Sequence, residues 1–164
     1  IAFCRGLEEA GADAFAIHGR RYCDKFTGKA DWSQIYELKK AVKVPVLGNG
    51  DVNSAQDALE KIGNLDGVMV GRGTFGNPWV MREICDAFDG KPAPDVPKTF
   101  QEKLPMIIEH CELSVAIKGE RLGMLEMRRH LSSYVKGFDG AADLRSKLVR
   151  VETLADAKSL LLSV

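Results

Sequence analysis

The sequence predicts an α/β fold with parallel strands, followed by a region that is entirely helical. Three short apolar runs are each followed by a polar loop that contains glycine, and amphipathic segments separate the runs. After the prolines at 92, 94 and 97 no strand-like pattern returns, which indicates the helical region. These observations favour βαβαβ units and then a helical domain.

The three apolar runs, Ala14–Ile17, Val44–Leu47 and Val68–Val70, are the predicted strands. Strand starts near residues 14, 44 and 67 match the roughly 30 residues per unit expected of an eight-fold βα barrel. A doubly wound sheet is the architectural alternative, although it would usually carry its phosphate-binding glycines after the first strand.

Capping residues mark the helices of the α/β part. Ile1–Ala10 has a helical pattern, Asp31 and Ser54 are the predicted caps of two more helices, and Asn77 followed by Pro78 predicts the start of a fourth.

The loops after the last two strands have the chemistry of a phosphate site. Gly71 and Gly73 flank Arg72, whose planar guanidinium suits phosphate, and Gly48–Asp51 combines backbone, amide and carboxylate groups. Loops after the seventh and eighth strands commonly bind phosphate in such barrels, so we number the strands sixth to eighth. Five strands, about 150 residues, would then precede Ile1, and the N-terminal part of the barrel would be absent.

Composition is ordinary for a globular protein, with 45% apolar and 28% charged residues. No apolar run reaches the length of a membrane span. The four cysteines lack metal-ligand spacing, and their dispersal along the chain favours reduced intracellular thiols. Net charge is zero, but residues 118–150 hold eight basic and four acidic residues. That excess favours an acidic partner, with an ordinary solvated helical surface as the alternative.

Three apolar stripes at helical spacing follow the prolines. We predict domains at residues 1–90 (barrel part), 91–98 (linker) and 99–164 (helical). The stripes consist of Leu104, Ile107, Ile108, Cys111 and Val115; of Met124, Leu125, Leu131 and Val135; and of Leu144, Leu148 and Val151.

A series of motifs in order gives this chain a family resemblance. It resembles the C-terminal half of the tRNA-dihydrouridine synthase family over nearly its whole length. The motifs are His18-Gly19-Arg20, Gly28-Lys29-Ala30-Asp31-Trp32, Pro45-Val46-Leu47-Gly48-Asn49-Gly50-Asp51, Asp66-Gly67-Val68-Met69-Val70-Gly71-Arg72-Gly73, Gly76-Asn77-Pro78-Trp79, Met127-Arg128-Arg129-His130 and Tyr134-Val135-Lys136-Gly137.

The resemblance implies the last three βα units of an FMN-binding TIM (β/α)8 barrel followed by a helical tRNA-binding domain. The implied activity is NADPH-dependent reduction of specific tRNA uridines to 5,6-dihydrouridine, in a cytoplasmic protein that is monomeric when complete, with no metal and no membrane. The implied cofactor-binding residues are His18, Asn49, Gly50, Asp51, Gly71 and Arg72. Our candidates for tRNA contacts are Arg128, Arg129 and His130, which lie within one helical turn.

The family's catalytic cysteine belongs to the N-terminal half, so we assign no catalytic residue here and expect this piece alone to be inactive. Arg21 stands where many relatives carry Thr. Two other functions remain open: another FMN- or phosphate-binding barrel oxidoreductase acting on a small metabolite, and a catalytically silent RNA-binding module. The first leaves the basic helical region unexplained, and the second leaves the glycine loops unexplained.

Overall fold

The computed structural model describes residues 1–24 and 27–164, apart from the side chain of residue 24. The chain divides into two compact units. The first contains Ile1–Thr74 and Pro78–Pro94, and the second contains Phe75–Asn77 and Asp95–Val164. The first unit is α/β and the second is helical.

A parallel three-stranded sheet forms the centre of the first unit, in the order β1-β2-β3. The strands are β1 (Phe15–His18), β2 (Val46–Asn49) and β3 (Gly67–Met69). The predicted α/β class with parallel strands is therefore confirmed. The helices of this unit are α1 (Ala2–Glu9), α2 (Ser33–Ala41), α3 (Ala55–Ile62) and α4 (Val80–Phe88), and short 3-10 turns cover Tyr22–Asp24 and Arg72–Thr74.

The core of this unit lies where the helices contact the sheet. Apolar side chains at helical spacing on α2, α3 and α4 are buried together with strand residues, and removal of this surface from water stabilises the unit. The most deeply buried members are Ile35, Val46, Ala58 and Val80.

Several predicted boundaries were wrong by one or two residues, including those of β1, predicted as Ala14–Ile17, and β3, predicted as Val68–Val70. β2 begins at Val46 rather than Val44 and continues through Gly48 and Asn49, which the sequence places in the following loop. α4 begins at Val80, with Trp79 rather than Asn77 in the N-cap position. Asp31 lies one residue before the N-cap of α2, although its carboxylate still accepts the Ser33 N–H at 2.9 Å.

Four helices form the second unit: α5 (Phe100–Lys118), α6 (Glu120–Tyr134), α7 (Ala141–Leu148) and α8 (Leu154–Leu162). A capping box between Thr99 and Glu102 begins α5. Gly123 allows α6 to approach α5 closely, since a β-carbon there would lie 2.7 Å from the Ser114 carbonyl oxygen. The predicted stripe on α6 was wrong at Leu125, which is 53% exposed, whereas Met127 is buried.

Within the described ranges, 1–24 and 27–164, no helix combines the length and apolarity needed to cross a membrane. The same residues contain no cluster of three or more His, Cys, Asp or Glu side chains that could hold a metal ion.

Candidate functional site

The carboxyl ends of the three parallel strands bring the predicted cofactor residues together. His18 is paired in register with Asn49, and Asn49 with Met69, so the loops after β1, β2 and β3 leave the sheet at the same edge. These loops enclose a cavity of about 140 Å³. All six predicted cofactor residues line the cavity, namely His18, Asn49, Gly50, Asp51, Gly71 and Arg72. Four other residues complete its lining: Arg20, Val52, Asn53 and Gly73.

His18 ends β1 with an exposed imidazole ring. Its Nδ1 atom accepts a hydrogen bond from the backbone N–H of Arg20 at 3.2 Å. In the neutral ring the proton is therefore on Nε2, which can donate to a bound group. His18 and Arg20 also line a second cavity of about 460 Å³, so the two cavities share a wall.

The loop after β3 is compact and partly open. Thr74 closes it by donating its backbone N–H and its hydroxyl group to the Gly71 carbonyl oxygen, at 3.1 and 2.9 Å. A β-carbon at Gly73 would lie 2.5 Å from the Val52 carbonyl oxygen, so the absence of a side chain lets this loop pack on the loop after β2. A β-carbon at Gly71 would meet no atom within 4 Å, which leaves space beside the backbone of this loop.

Asp51 connects the loops after β1 and β2. Its carboxylate oxygens accept hydrogen bonds from Arg20 Nη2 at 2.7 and 2.8 Å, and Oδ2 also accepts the Ala30 N–H at 2.8 Å. Partial burial opposes ionisation of Asp51, but the hydrogen bonds from Ala30 and Arg20, with the charges of Arg20 and Arg72, hold the pKa of this carboxyl below its usual value. Asp51 is therefore ionised at neutral pH.

Sequence reasoning missed two residues that shape the site. Arg20 and Trp32 both stand in motifs that carry the family resemblance, but the sequence predicts a role for neither of them. The Trp32 indole is buried and donates its Nε1–H to the Gly50 carbonyl oxygen at 3.1 Å. The glycine next to Arg20 was a usable signal, whereas the long sequence separation between Trp32 and Gly50 gave none.

The three predicted tRNA residues lie on α6 in different environments. Arg129 is exposed, with its guanidinium carbon 5.1 Å from the centre of the Phe75 ring. Arg128 is half-buried and donates its Nε–H to the Val151 carbonyl oxygen at 2.8 Å and Nη2 to the Arg150 carbonyl oxygen at 3.5 Å. The structure thus places Arg129 at the surface and gives Arg128 partners within its own unit.

His130 belongs to a small aromatic cluster in the helical unit. Its ring centre lies 5.2 Å from that of Phe75 and 5.0 Å from that of His110, and His110 Nδ1 lies 3.3 Å from the Tyr134 hydroxyl group. Burial lowers the pKa of both histidines, with smaller contributions from His130 acting on His110 and from the Arg129 charge acting on His130. Both rings are therefore predominantly neutral at pH 7.

Comparison with known proteins gives a consistent result. The family model for dihydrouridine synthases matches residues 1–163. The chain is 43% identical over 160 residues to a probable tRNA-dihydrouridine synthase of Mycobacterium leprae, covering 96% of this chain and 41% of that protein. It is 37% identical over 164 residues to a probable tRNA-dihydrouridine synthase 1 of Synechocystis, covering 98% and 45%. The chain therefore spans less than half the length of these relatives.

Proposed function

Because this chain belongs to the dihydrouridine synthase family, we propose that the whole protein reduces specific uridines in tRNA to 5,6-dihydrouridine. The similarity to probable tRNA-dihydrouridine synthases of two bacteria supports this activity. We further propose that the three strands are the last three of an eight-stranded barrel. In this proposal the second unit is the tRNA-binding domain.

The proposed cofactor is FMN, with its phosphate at the loops after β2 and β3. The observation that carries this proposal is that all six residues predicted from the sequence line one cavity at the carboxyl edge of the sheet. The fit is also chemical. The open backbone at Gly71 and the Arg72 guanidinium provide donors suited to phosphate. The cavity volume of about 140 Å³ is several times the roughly 30 Å³ that one water molecule occupies.

Reduction of the uracil C5–C6 bond adds a hydride to one carbon and a proton to the other. When bound, FMN supplies the hydride chemistry, which side chains cannot perform, and NADPH is the proposed electron donor. In our proposal the residues of this chain bind and orient. His18 donates from Nε2 to a group above the sheet edge, while Arg72 neutralises phosphate charge.

The helical unit is proposed to hold the RNA while the target base enters the barrel. A base inside folded tRNA must leave its stack to reach a flavin, as enzymes that act on bases generally require. Phosphate contacts hold the RNA without reading its sequence, and arginine suits that role. Arg129 is the best-placed candidate because its side chain is exposed.

The test of the cofactor site is Arg72→Ala in the whole protein. Loss of a charge-assisted contact should weaken FMN binding by about 2 kcal/mol, or roughly 30-fold in Kd. Arg82→Ala is the matched control, because Arg82 on α4 is 75% exposed and its ion pair with Asp86 lies on the same helix. FMN affinity is measured by quenching of flavin fluorescence, and equal affinity of Arg72→Ala and the parent would contradict the proposed site.

Activity is tested separately. tRNA from a strain that lacks the gene should gain dihydrouridine when incubated with the whole protein, FMN and NADPH. Tight flavin binding without dihydrouridine formation would favour a different FMN-dependent barrel oxidoreductase.

A further inference from the structure

A buried arginine links the first two loops of the site. The Arg20 side chain is only 6% exposed, and its Nη2 atom contacts both oxygens of Asp51 at 2.7 and 2.8 Å. Nη2 also donates to the Gly28 carbonyl oxygen at 2.7 Å. Because Arg20 and Gly28 both follow β1 whereas Asp51 follows β2, this guanidinium ties one loop to the other.

The Asp51 carboxylate faces residues of the chain itself. Oδ1 and Oδ2 both accept from Arg20, and Oδ2 accepts the Ala30 N–H as well. These partners all belong to the loop after β1. The observed contacts of Asp51 therefore fix the relation between two loops.

The backbone of the second loop adopts a conformation that needs such support. Among the described residues, Asp51 is the one non-glycine residue with positive φ, at +53°, and Gly50 before it has φ +133°. A left-handed conformation costs free energy for a residue with a side chain, and it persists where surrounding contacts determine it. The Arg20 pair and the Ala30 N–H are those contacts at Asp51.

The arrangement is costly for Arg20 as well. Its Nη1 atom is buried and has no hydrogen-bond partner in the part of the chain that the structure describes. A buried donor without a partner destabilises the folded state, and an ion pair whose carboxylate is 30% exposed is a weak source of stability. Maximum stability therefore does not explain the pair, whereas a requirement for one loop geometry does.

We propose that Arg20 is a positioning residue that acts through Asp51 to hold the Asn49–Asp51 turn in the geometry that binds the cofactor phosphate. The effect extends to the phosphate loop, because Gly73 packs directly on the Val52 carbonyl oxygen. The Asp51 carboxylate accordingly supports the site through the loop after β1, while the Asn49–Asp51 turn as a whole still lines the cavity. The inference rests on the proposed function for the identity of its ligand.

A double-mutant cycle in the whole protein tests this. Arg20→Lys, Asp51→Asn and the double variant are compared with the parent for FMN Kd, by fluorescence quenching, and for urea unfolding. Each single change should weaken FMN binding about tenfold, and the double variant should bind no more weakly than either single variant, because one interaction is lost in all three. The control cycle is Arg82→Lys with Asp86→Asn, an ion pair within α4 in which Arg82 is 75% and Asp86 16% exposed, and it should leave FMN affinity unchanged.

The other outcomes overturn the inference. A direct contact between the Asp51 carboxylate and the cofactor gives independent losses, so the double variant would bind roughly a hundredfold more weakly than the parent. A purely structural pair would show coupling in urea unfolding while every folded variant binds FMN like the parent. If Asp51→Asn does not fold, Asp51→Glu replaces it in the cycle, since it keeps the charge but displaces the carboxylate. A parent that binds no FMN would overturn the proposed cofactor as well as this inference.

Discussion

Charge reversal at two neighbouring arginines of α6 separates an RNA-binding role from a structural one. Arg128→Glu and Arg129→Glu are the same chemical change at adjacent positions, so each variant is the matched control for the other. The structure predicts opposite results, because Arg128 is hydrogen-bonded within its unit whereas Arg129 is exposed. Both substitutions are made in the whole protein.

The expected changes in the free energy of unfolding follow from the contacts that each arginine side chain makes. Arg128→Glu removes a 2.8 Å hydrogen bond to the Val151 carbonyl oxygen and a longer one to the Arg150 carbonyl oxygen, and it places a carboxylate beside these oxygens. We expect the free energy of unfolding to fall by about 1 to 2 kcal/mol. Arg129→Glu loses only its position over the Phe75 ring, which contributes about 0.5 to 1 kcal/mol at an exposed site.

For RNA binding we expect the larger loss of affinity in Arg129→Glu and the smaller one in Arg128→Glu, the reverse of their order in stability. If Arg129 contacts a phosphate, Arg129→Glu releases fewer counterions on binding, and the negative slope of log K against log salt concentration should become shallower by about 1. Arg128→Glu should change that slope less. Urea unfolding gives the stability, and fluorescence anisotropy with labelled tRNA at several salt concentrations gives affinity and slope. An unchanged slope and affinity in Arg129→Glu would make this arginine ordinary surface charge, and unchanged stability in Arg128→Glu would refute its structural role.

Two further predictions concern packing and thiol chemistry. Gly123→Ala should destabilise the protein by about 1 to 3 kcal/mol, because the new β-carbon would overlap the α5 backbone. Gly6→Ala in α1 should instead stabilise it by about 0.5 to 1 kcal/mol, because a β-carbon there meets no atom within 4 Å. Equal urea midpoints for the two variants would contradict the packing argument. Iodoacetamide at pH 8 should alkylate exposed Cys85 well before buried Cys111, since burial raises the pKa of the Cys111 thiol to about 11. Peptide mass spectrometry measures both alkylation rates. Similar rates in the folded protein would contradict this prediction and show that α5 opens readily.

The sequence was informative where local chemistry decides the structure. Apolar runs followed by glycine loops located all three strands, and Ser54 caps α3 as predicted by accepting the Asp57 N–H at 3.0 Å. Parallel pairing then brings the ends of those strands to one edge, so residues distant in sequence converge without any further signal. For this reason the six cofactor candidates could be named before their geometry was known.

The errors arose where tertiary packing overrides a local preference. The sequence places Gly48 in a loop, but it lies within β2, where it is paired with Ile17 and Val68. Glycine is needed at this position because a β-carbon would lie 2.2 Å from the Trp32 ring. Asn77 and Pro78 form a good local helix start, yet α4 begins at Val80 with Trp79 in the N-cap position. Periodicity alone could not decide between Leu125 and Met127 as core residues of α6.

The ion pair of Arg20 with Asp51 is the part of the site that sequence patterns could least reveal, since its partners are 31 residues apart. The ion pair also predicts the direction in which FMN affinity changes when Asp51 is neutralised. Asp51 is a negative charge at a site proposed for phosphate, so if electrostatics alone set affinity, Asp51→Asn would bind FMN more tightly by removing repulsion. The positioning role requires the opposite, because the turn at Asp51 loses its support and the loss of geometry outweighs the relief of repulsion. The direction of the change in FMN Kd on Asp51→Asn therefore decides between a charge effect and a positioning effect.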